Sequence, residues 1–227
     1  VYYNTIGEMF LTRRVETGDT YSVTAMQPAD AAALIRACAA AEGADDSAYS
    51  EALAEYTALP DSIDSRVYAL AVELTQDSAS AVRKAYAIQN YLAQNYRYTL
   101  DGRYPEQGQD FVSWFLLEEK QGYCSYFATA MTVLCRVAGV PARYVEGYLA
   151  VPDENGECVV TGRNAHAWAE VYFKGFGWVV FDATPPDDQQ DEQESDESEN
   201  AQGGNAGGAQ PTATPAPTDG MTEDAPT

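Results

Sequence analysis

The sequence predicts an α+β fold in which a block of helices precedes a block of antiparallel strands. Between residues 28 and 138, apolar side chains recur mainly at helical spacing. From Ala142 to Thr184 they alternate instead with polar side chains, as in strands that bury one face. The chain has 227 residues, which suffices for one full hydrophobic core and a smaller additional segment.

Composition divides the chain into four predicted segments. Residues 1–27 are predicted to form a β-hairpin, with β-rich runs at 8–15 and 20–26, and one interpretation is the end of a preceding domain. Residues 28–58 form a helical lead-in and residues 59–186 the main domain. For residues 1–58 three roles stay open: a cap over the site, a separate helical subdomain, or linker. Residues 187–227 contain acids without Lys or Arg, then Gly, Ala, Pro and Thr, which predicts a disordered linker.

Four helices are expected before residue 96, each with a start or stop signal. The first ends at Gly43, and the second runs over about 47–57 and ends before Pro60. The third and fourth have apolar stripes of the kind that usually face a core. Pro28 and Asp30 are predicted to open the first helix. The predicted N-caps are Asp61 or Ser62 for the third helix and Ser78 or Ser80 for the fourth.

Shorter elements follow. Residues 96–100 are predicted to be a short strand or extended arm, and Asp110 caps a short helix over residues 111–119. The remaining strands are expected at residues 142–151, from Val159 onward, at 164–173 and at 178–184.

Cys124 stands at the start of a mostly apolar helix. Turn formers and polar residues precede it, and Gly139 and Pro141 end the helix. At a helix start, unpaired backbone N–H groups and the helix dipole favour a thiolate, which lowers the pKa of a cysteine from about 8.5. The alternative interpretation is a small buried core cysteine, and we predict that role for Cys135 on the same helix.

His166, the single histidine of the chain, lies on a predicted strand beside a strand that leads to Asp182. A three-residue loop at residues 174–176 would set Asp182 opposite Trp168, on the face of His166 and diagonal to it, with Cα atoms about 7–8 Å apart. A two-residue loop would place Asp182 on the opposite face. We therefore predict the three-residue loop or an equivalent bulge.

A cysteine, a histidine and a carboxylate in one chain of contacts are the groups of nucleophilic thiol catalysis. We expect Asp182 to orient His166, and His166 to hold Cys124 as a thiolate that attacks a carbonyl carbon. The backbone N–H of Cys124 is the first candidate donor to the oxyanion that forms.

Other side chains are weaker candidates for the same site. The second oxyanion donor stays open, with Gln121 and Trp114 as candidates. Aromatic side chains near the cysteine and the histidine either line a cleft for a peptide chain or belong to core packing. The candidates for lining such a cleft are Tyr123, Tyr126 and Trp168.

Three ordered motifs resemble those of bacterial transglutaminase-like proteins. They are GYCSYFA around Cys124, followed by RVAGVPAR, then NAHAWAEVY around His166, and GWVVFDATP around Asp182. The resemblance covers about residues 59–186 and implies a papain-like α+β core, with a cysteine-bearing helix packed on an antiparallel sheet that bears the histidine and the aspartate. Ala183 stands where the family usually has Pro, a departure that leaves the three chemical groups in place.

This resemblance implies an enzyme that acts on peptide or protein amides through a cysteine thioester, as a transglutaminase, a deamidase or a cysteine peptidase. These activities differ in whether an amine or water resolves the thioester. The alternative is a non-catalytic extracellular binding or scaffold module that keeps the fold. The chain looks like the membrane-anchored branch, so we expect an extracellular location, with membrane contact only through segments absent from this sequence.

Composition argues against several other classes. The formal net charge of −22 disfavours a nucleic-acid partner. No apolar run approaches about 18 residues, so no membrane span is predicted.

The chain begins with Val1 and shows no signal peptide, and we interpret it as a piece of a longer protein. Its four cysteines form no C-x-x-C pair, which argues against a zinc site and leaves the redox compartment open. We expect no metal, cofactor or calcium requirement, and the oligomeric state stays open.

Overall fold

The computed structural model describes residues 2–3, 9–10, 30–41 and 45–185. At the start of the chain, the short strands β1 (Tyr2–Tyr3) and β2 (Met9–Phe10) pair in antiparallel fashion. The hairpin predicted between residues 8–15 and 20–26 lies outside the described residues except for residues 9–10. The linker predicted at 187–227 lies outside them entirely. Among the described residues, no helix has the length and apolar character needed to cross a membrane.

The first two helices begin at capping carboxylates. Helix α1 (Ala31–Ala40) and helix α2 (Ser47–Tyr56) have Asp30 and Asp46 as N-caps, whose carboxylates accept first-turn N–H groups at 2.6 and 3.0 Å. The prediction that the first helix opens at Asp30 is confirmed, and Pro28, named with it, lies outside the described residues. Gly43, the predicted end of the first helix, lies outside the described residues.

Helix α3 (Ser65–Thr75) begins later than predicted. Its N-cap is Asp64, whose carboxylate accepts the N–H of Arg66 at 2.8 Å, so the expectation of Asp61 or Ser62 is wrong. The reason is local: the N–H of Ile63 bonds to the carbonyl of Pro60 in a turn, which delays the first helical residue.

Helix α4 (Ala81–Asn95) begins after Ser80, one of the two predicted caps, although the Ser80 side chain makes no capping hydrogen bond. Helices α3 and α4 pack against each other and against the later helix that starts at Cys124. Their apolar stripes face the core, as predicted. The buried residues of these stripes are Val67, Ala71, Val82, Ala85, Ile88 and Leu92.

The segment before Cys124 is held by a short parallel pair of strands. Strand β3 (Arg97–Tyr98) pairs with β4 (Gln121–Gly122), so that Tyr98 lies beside Gly122. Between them, the single helix predicted over 111–119 divides into α5 (Phe111–Trp114), capped by Asp110 as predicted, and a π-helical turn over Phe115–Glu119.

Helix α6 (Cys124–Val137) is the central element of the fold. It contacts α3 and α4 as well as strands β5 (Ala142–Tyr148) and β6 (Ala165–Phe173) of the main sheet. The most deeply buried side chains of the helix include Phe127, Met131 and Leu134, each with no exposed surface. This burial fixes where the first turn of α6, and therefore Cys124, lies relative to the sheet.

The main sheet has the order β5-β6-β7, with β7 at Gly177–Phe181 and both pairings antiparallel. Phe173 pairs with Gly177, so the loop contains three residues and the predicted register is confirmed. Strand β5 ends earlier than predicted, and the stretch from Val159 is not a strand. A 3-10 turn at Gly162–Asn164 leads into β6 instead.

The two faces of this sheet have different neighbours. Side chains on one face, including Ala169, Val171 and Phe181, are buried on the side of α6. On the other face, Tyr172 and Trp178 contact aromatic side chains of α2. The fold is thus the predicted α+β arrangement, with a cysteine-bearing helix packed on an antiparallel sheet.

Candidate active site

Cys124 is the first residue of α6, and its sulfur receives several hydrogen bonds. The N-cap residue Tyr123 contributes no side-chain cap, which leaves first-turn N–H groups available. Burial alone would raise the pKa of Cys124. Hydrogen bonding from the His166 ring and from the backbone N–H groups of Ala167 and Ser125, together with the charge of His166, lowers it below its usual value. The site therefore favours a thiolate.

His166, on β6, connects Cys124 with Asp182. Its Nε2 lies 2.7 Å from Oδ2 of Asp182, and the two side chains are 11% and 37% exposed. The hydrogen bond to Asp182, followed by the one to Cys124, raises the pKa of His166 to about 9 against the opposing effect of burial. Because Nε2 is occupied by Asp182, Nδ1 is the ring nitrogen available to the sulfur.

Asp182, which directly follows β7, is held by two neighbours. Its Oδ1 accepts the backbone N–H of Thr184 at 3.0 Å and the Thr184 hydroxyl at 2.7 Å, and its backbone carbonyl accepts Nε2 of Gln89 at 2.7 Å. Burial raises the pKa of Asp182, but the bonds from His166 and Thr184 outweigh it and lower the pKa. The Asp-x-Thr spacing was a sequence signal for Thr184, whereas no local signal pointed to Gln89.

The two cysteines of α6 have opposite environments. Cys135 has no exposed surface, and burial raises its pKa to about 12, so its predicted core role is confirmed. Cys124 is half-buried and its pKa is lowered. Between the pKa of Cys124 and about pH 9, the thiolate of Cys124 and the imidazolium of His166 are the stable pair.

Tyr98 is a site residue that the sequence did not indicate. Burial and the nearby Cys124 charge raise the pKa of its phenol, while hydrogen bonding with the backbone N–H of Cys124 opposes that rise. The phenol therefore lies close enough to Cys124 for the charge and the backbone N–H of that residue to act on its pKa. Pairing of β3 with β4 brings it there, and a contact between residues 26 apart in sequence leaves no local pattern.

Gln121 and Trp114, the candidate second oxyanion donors, are engaged elsewhere. The amide nitrogen of Gln121 donates to the carboxylate of Glu119 at 2.9 Å. Trp114 is 8% exposed, and its ring packs beside Phe111 and Tyr126. Both side chains therefore contact groups other than the sulfur.

The three cleft candidates have different surroundings. Tyr126 is 1% exposed and its hydroxyl donates to the carbonyl of Arg103, so it belongs to the core rather than to a cleft. Tyr123 is partly exposed and shares a hydrogen bond of 3.0 Å with the hydroxyl of Tyr104. Trp168 lies next to the His166 ring, with 6.3 Å between ring centres and nearly parallel planes.

Gly147 on β5 permits this position of Trp168. A Cβ at Gly147 would lie 2.6 Å from Cη2 of the indole, which is too close for any real contact. Gly147→Ala is therefore expected to displace the indole and the neighbouring His166, and to slow alkylation of Cys124 at pH 7 by about 10-fold to 100-fold.

Gly162→Ala is the matched control for this prediction, because a Cβ there would have no atom within 4 Å. Alkylation rates and melting temperatures of both variants separate a local effect from unfolding. An unchanged rate in a folded Gly147→Ala protein would show that the indole does not position the imidazole.

A family comparison connects this geometry with known proteins. The model of the Transglutaminase-like superfamily matches residues 68–183, which is half of the chain and includes all three polar groups of the candidate site. The chain belongs to the transglutaminase-like superfamily. The resemblance drawn from the three motifs is thereby confirmed.

Two curated relatives are similar over the same part of this transglutaminase-like chain. "Uncharacterized protein YebA" of Bacillus subtilis is 44% identical over 137 residues, covering 57% of this chain and 19% of YebA. A protein-glutamine gamma-glutamyltransferase of Pseudomonas aeruginosa is 35% identical over 127 residues, covering 52% of this chain and 18% of that enzyme. The chain thus spans less than a fifth of the length of these relatives.

A solved structure supports the fold assignment. The periplasmic domain of TgpA from Pseudomonas aeruginosa has 32% sequence identity and a TM-score of 0.52 with this transglutaminase-like chain. The match covers 63% of this chain and 49% of the TgpA domain. The same domain bound to ethylmercury matches with the same identity and TM-score over 59% of this chain.

Proposed function

We propose that this chain contains a thiol acyl-transfer enzyme that acts on peptide or protein amides through a thioester at Cys124. The observation that carries the proposal is the imidazole of His166, which hydrogen-bonds Asp182 on one side and Cys124 on the other. A scaffold that only kept the fold would have no need of a lowered thiol pKa beside a raised imidazole pKa.

Acylation uses the ion pair directly. The Cys124 thiolate forms a bond to the amide carbonyl carbon, and the carbonyl oxygen becomes an oxyanion. As the C–N bond breaks, the imidazolium of His166 gives its proton to the departing nitrogen, which leaves as ammonia or as an amine. Asp182 keeps the ring in the orientation required and stabilises its positive charge.

The oxyanion needs donors that are already in place. We assign the backbone N–H of Cys124 as one donor and the phenol of Tyr98 as the other, since the phenol lies close to that N–H and to the charge of Cys124. A carbonyl oxygen that enters between them accepts one hydrogen bond from the N–H and one from the phenol. A donor of this kind typically contributes about 10²-fold to 10³-fold in kcat, which sets the expected loss for Tyr98→Phe.

The test offers the chain a glutamine-containing peptide, with and without a primary amine. Mass spectrometry then scores ammonia release, amine incorporation and backbone cleavage, which distinguish deamidase, transglutaminase and peptidase activities. Cys124→Ala is the control that must lose every product. If the folded wild-type chain gives no product and no acyl-enzyme with activated esters, the scaffold alternative is correct.

We further propose that the domain functions outside the cytoplasmic membrane. Support comes from its similarity to the periplasmic domain of TgpA. Cleavage of the domain in its intact full-length protein by a protease added to whole or outer-membrane-permeabilised cells tests this location. Protection of the domain until the cytoplasmic membrane is lysed would contradict it.

A further inference from the structure

We propose that Glu146 and Tyr144, on strand β5, form a recognition site for a cationic acceptor amine, so that the thioester is resolved by lysine-type amines in preference to uncharged nucleophiles. This inference rests on the proposed function, since it concerns the second half of that reaction. It assigns to the acceptor side two residues that the Cys-His-Asp chemistry does not use.

The geometry connects these two side chains with the nucleophile. The Tyr144 hydroxyl donates to the carboxylate of Glu146 at 2.6 Å and lies 3.3 Å from the hydroxyl of Ser125, the residue that follows Cys124. The Cys124 charge also acts on the Tyr144 phenol, whose pKa rises to about 12, mainly through burial and the bond to Glu146. Tyr144 thus holds the Glu146 carboxylate and connects it with the residue next to the nucleophile.

The charge of this carboxylate gives the site its selectivity. Glu146 is exposed, and its carboxylate accepts the hydroxyl of Tyr144. Arg143, on the same strand, is paired with Glu170 and lies 4.2 Å over the Trp178 ring. An incoming ammonium group would therefore be attracted by an exposed carboxylate, whereas an uncharged nucleophile gains no such attraction.

The step that this site serves is balanced in atoms and charge. The ammonium group held at Glu146 first releases one proton to solvent. The free amine then attacks the thioester carbonyl, a C–N bond forms and the C–S bond breaks. Neutral His166 accepts the second proton from nitrogen, and the sulfur of Cys124 leaves as thiolate. The products are an amide, the restored ion pair and one proton in solution.

The experiment measures how one acyl-enzyme divides between two nucleophiles. Wild-type chain is acylated with an activated ester and offered N-acetyl-lysine methylamide, which is cationic at pH 7, together with hydroxylamine, which is uncharged. Mass spectrometry gives the ratio of lysine amide to hydroxamate. Glu146→Gln is expected to lower this ratio by about fivefold, as expected for loss of an exposed charge attraction.

Two controls sharpen the result. Glu73→Gln makes the same charge change at an exposed position on α3, and its ratio is expected to equal that of wild type. Raising the salt concentration screens surface charges, so it should lower the wild-type ratio and leave that of Glu146→Gln nearly constant.

The outcomes separate this inference from the proposed function. Equal ratios in wild type and Glu146→Gln, with hydroxamate formed by both, overturn the acceptor site and leave the thiol chemistry intact. A fall of the same size in Glu73→Gln also overturns it, since net charge would then be the cause. Failure of folded wild type to form any acyl-enzyme overturns the proposed function itself.

Discussion

Replacing His166 by alanine is expected to raise the pH at which Cys124 is alkylated and to lower acyl transfer by about 10⁴-fold or more. In the wild type, His166 lowers the pKa of Cys124 by a hydrogen bond and by its charge. Without the ring, burial still raises that pKa and only the N–H groups of Ala167 and Ser125 oppose it. The thiolate fraction at pH 6–7 should therefore fall sharply.

The measurement is residue-resolved alkylation by iodoacetamide as a function of pH. Cys158 is an exposed thiol in the same chain, so its modification, mapped by mass spectrometry, serves as an internal reference. In wild type Cys124 should react well below pH 7, ahead of Cys158, and in His166→Ala it should lose this advantage. Identical Cys124 profiles in the two proteins would remove the basis for an activated thiolate.

Sequence patterns predicted best those features that depend on short-range geometry. The alternation of apolar and polar side chains along β6 and β7 predicted the three-residue loop. The same alternation predicted the side of the sheet on which Asp182 meets His166. The helical period after Cys124 placed that residue at a helix start. Both predictions use fixed geometric periods of the backbone, which hold wherever the element lies in the fold.

The features that sequence patterns missed depend on contacts between distant segments. Tyr98 reaches Cys124 because β3 pairs with β4, and neither two-residue strand has a pattern that identifies its partner. The amide of Gln121 was one of two candidate oxyanion donors but binds Glu119, because the direction of a side chain depends on its rotamer and on competing partners. The cap of α3 was misplaced for a related reason, since several Asp and Ser residues are chemically equivalent before the turn is known.

Replacing Asp182 by asparagine is expected to lower kcat/KM for acylation by about 10³-fold to 10⁴-fold, although the shape of the side chain is kept. Two donors of Thr184, its N–H and its hydroxyl, already hold Oδ1 of Asp182. The oxygen of the new amide should stay with Thr184, so its NH₂ group must face Nε2 of His166. An NH₂ donor facing Nε2 disfavours a proton on that nitrogen. Because the imidazolium needs a proton on both ring nitrogens, the charged form of His166 is lost.

The pH dependence follows from the same contact. The bond to Asp182 is the largest cause that raises the pKa of His166 to about 9. With NH₂ facing Nε2, that contribution is lost and the pKa should fall well below 9, although Cys124 still raises it. Because the chain has a single histidine, its imidazole C2–H resonance gives one NMR titration curve. A midpoint that stays near 9 in Asp182→Asn would contradict the assignment of Asp182 as the residue that positions the ring.

A second substitution tests whether the direction of the amide is the cause. Thr184→Val removes the hydroxyl donor while retaining the backbone N–H, so in the Asp182→Asn background the amide is freer to rotate and present its oxygen to Nε2. The double variant should therefore recover part of the His166 pKa and part of the acylation rate, although Thr184→Val alone lowers both. Asp77→Asn, which makes the same chemical change at an exposed position, should leave both unchanged. Strictly additive losses in the double variant would mean that Asp182 acts through its charge alone and that Thr184 does not set the orientation.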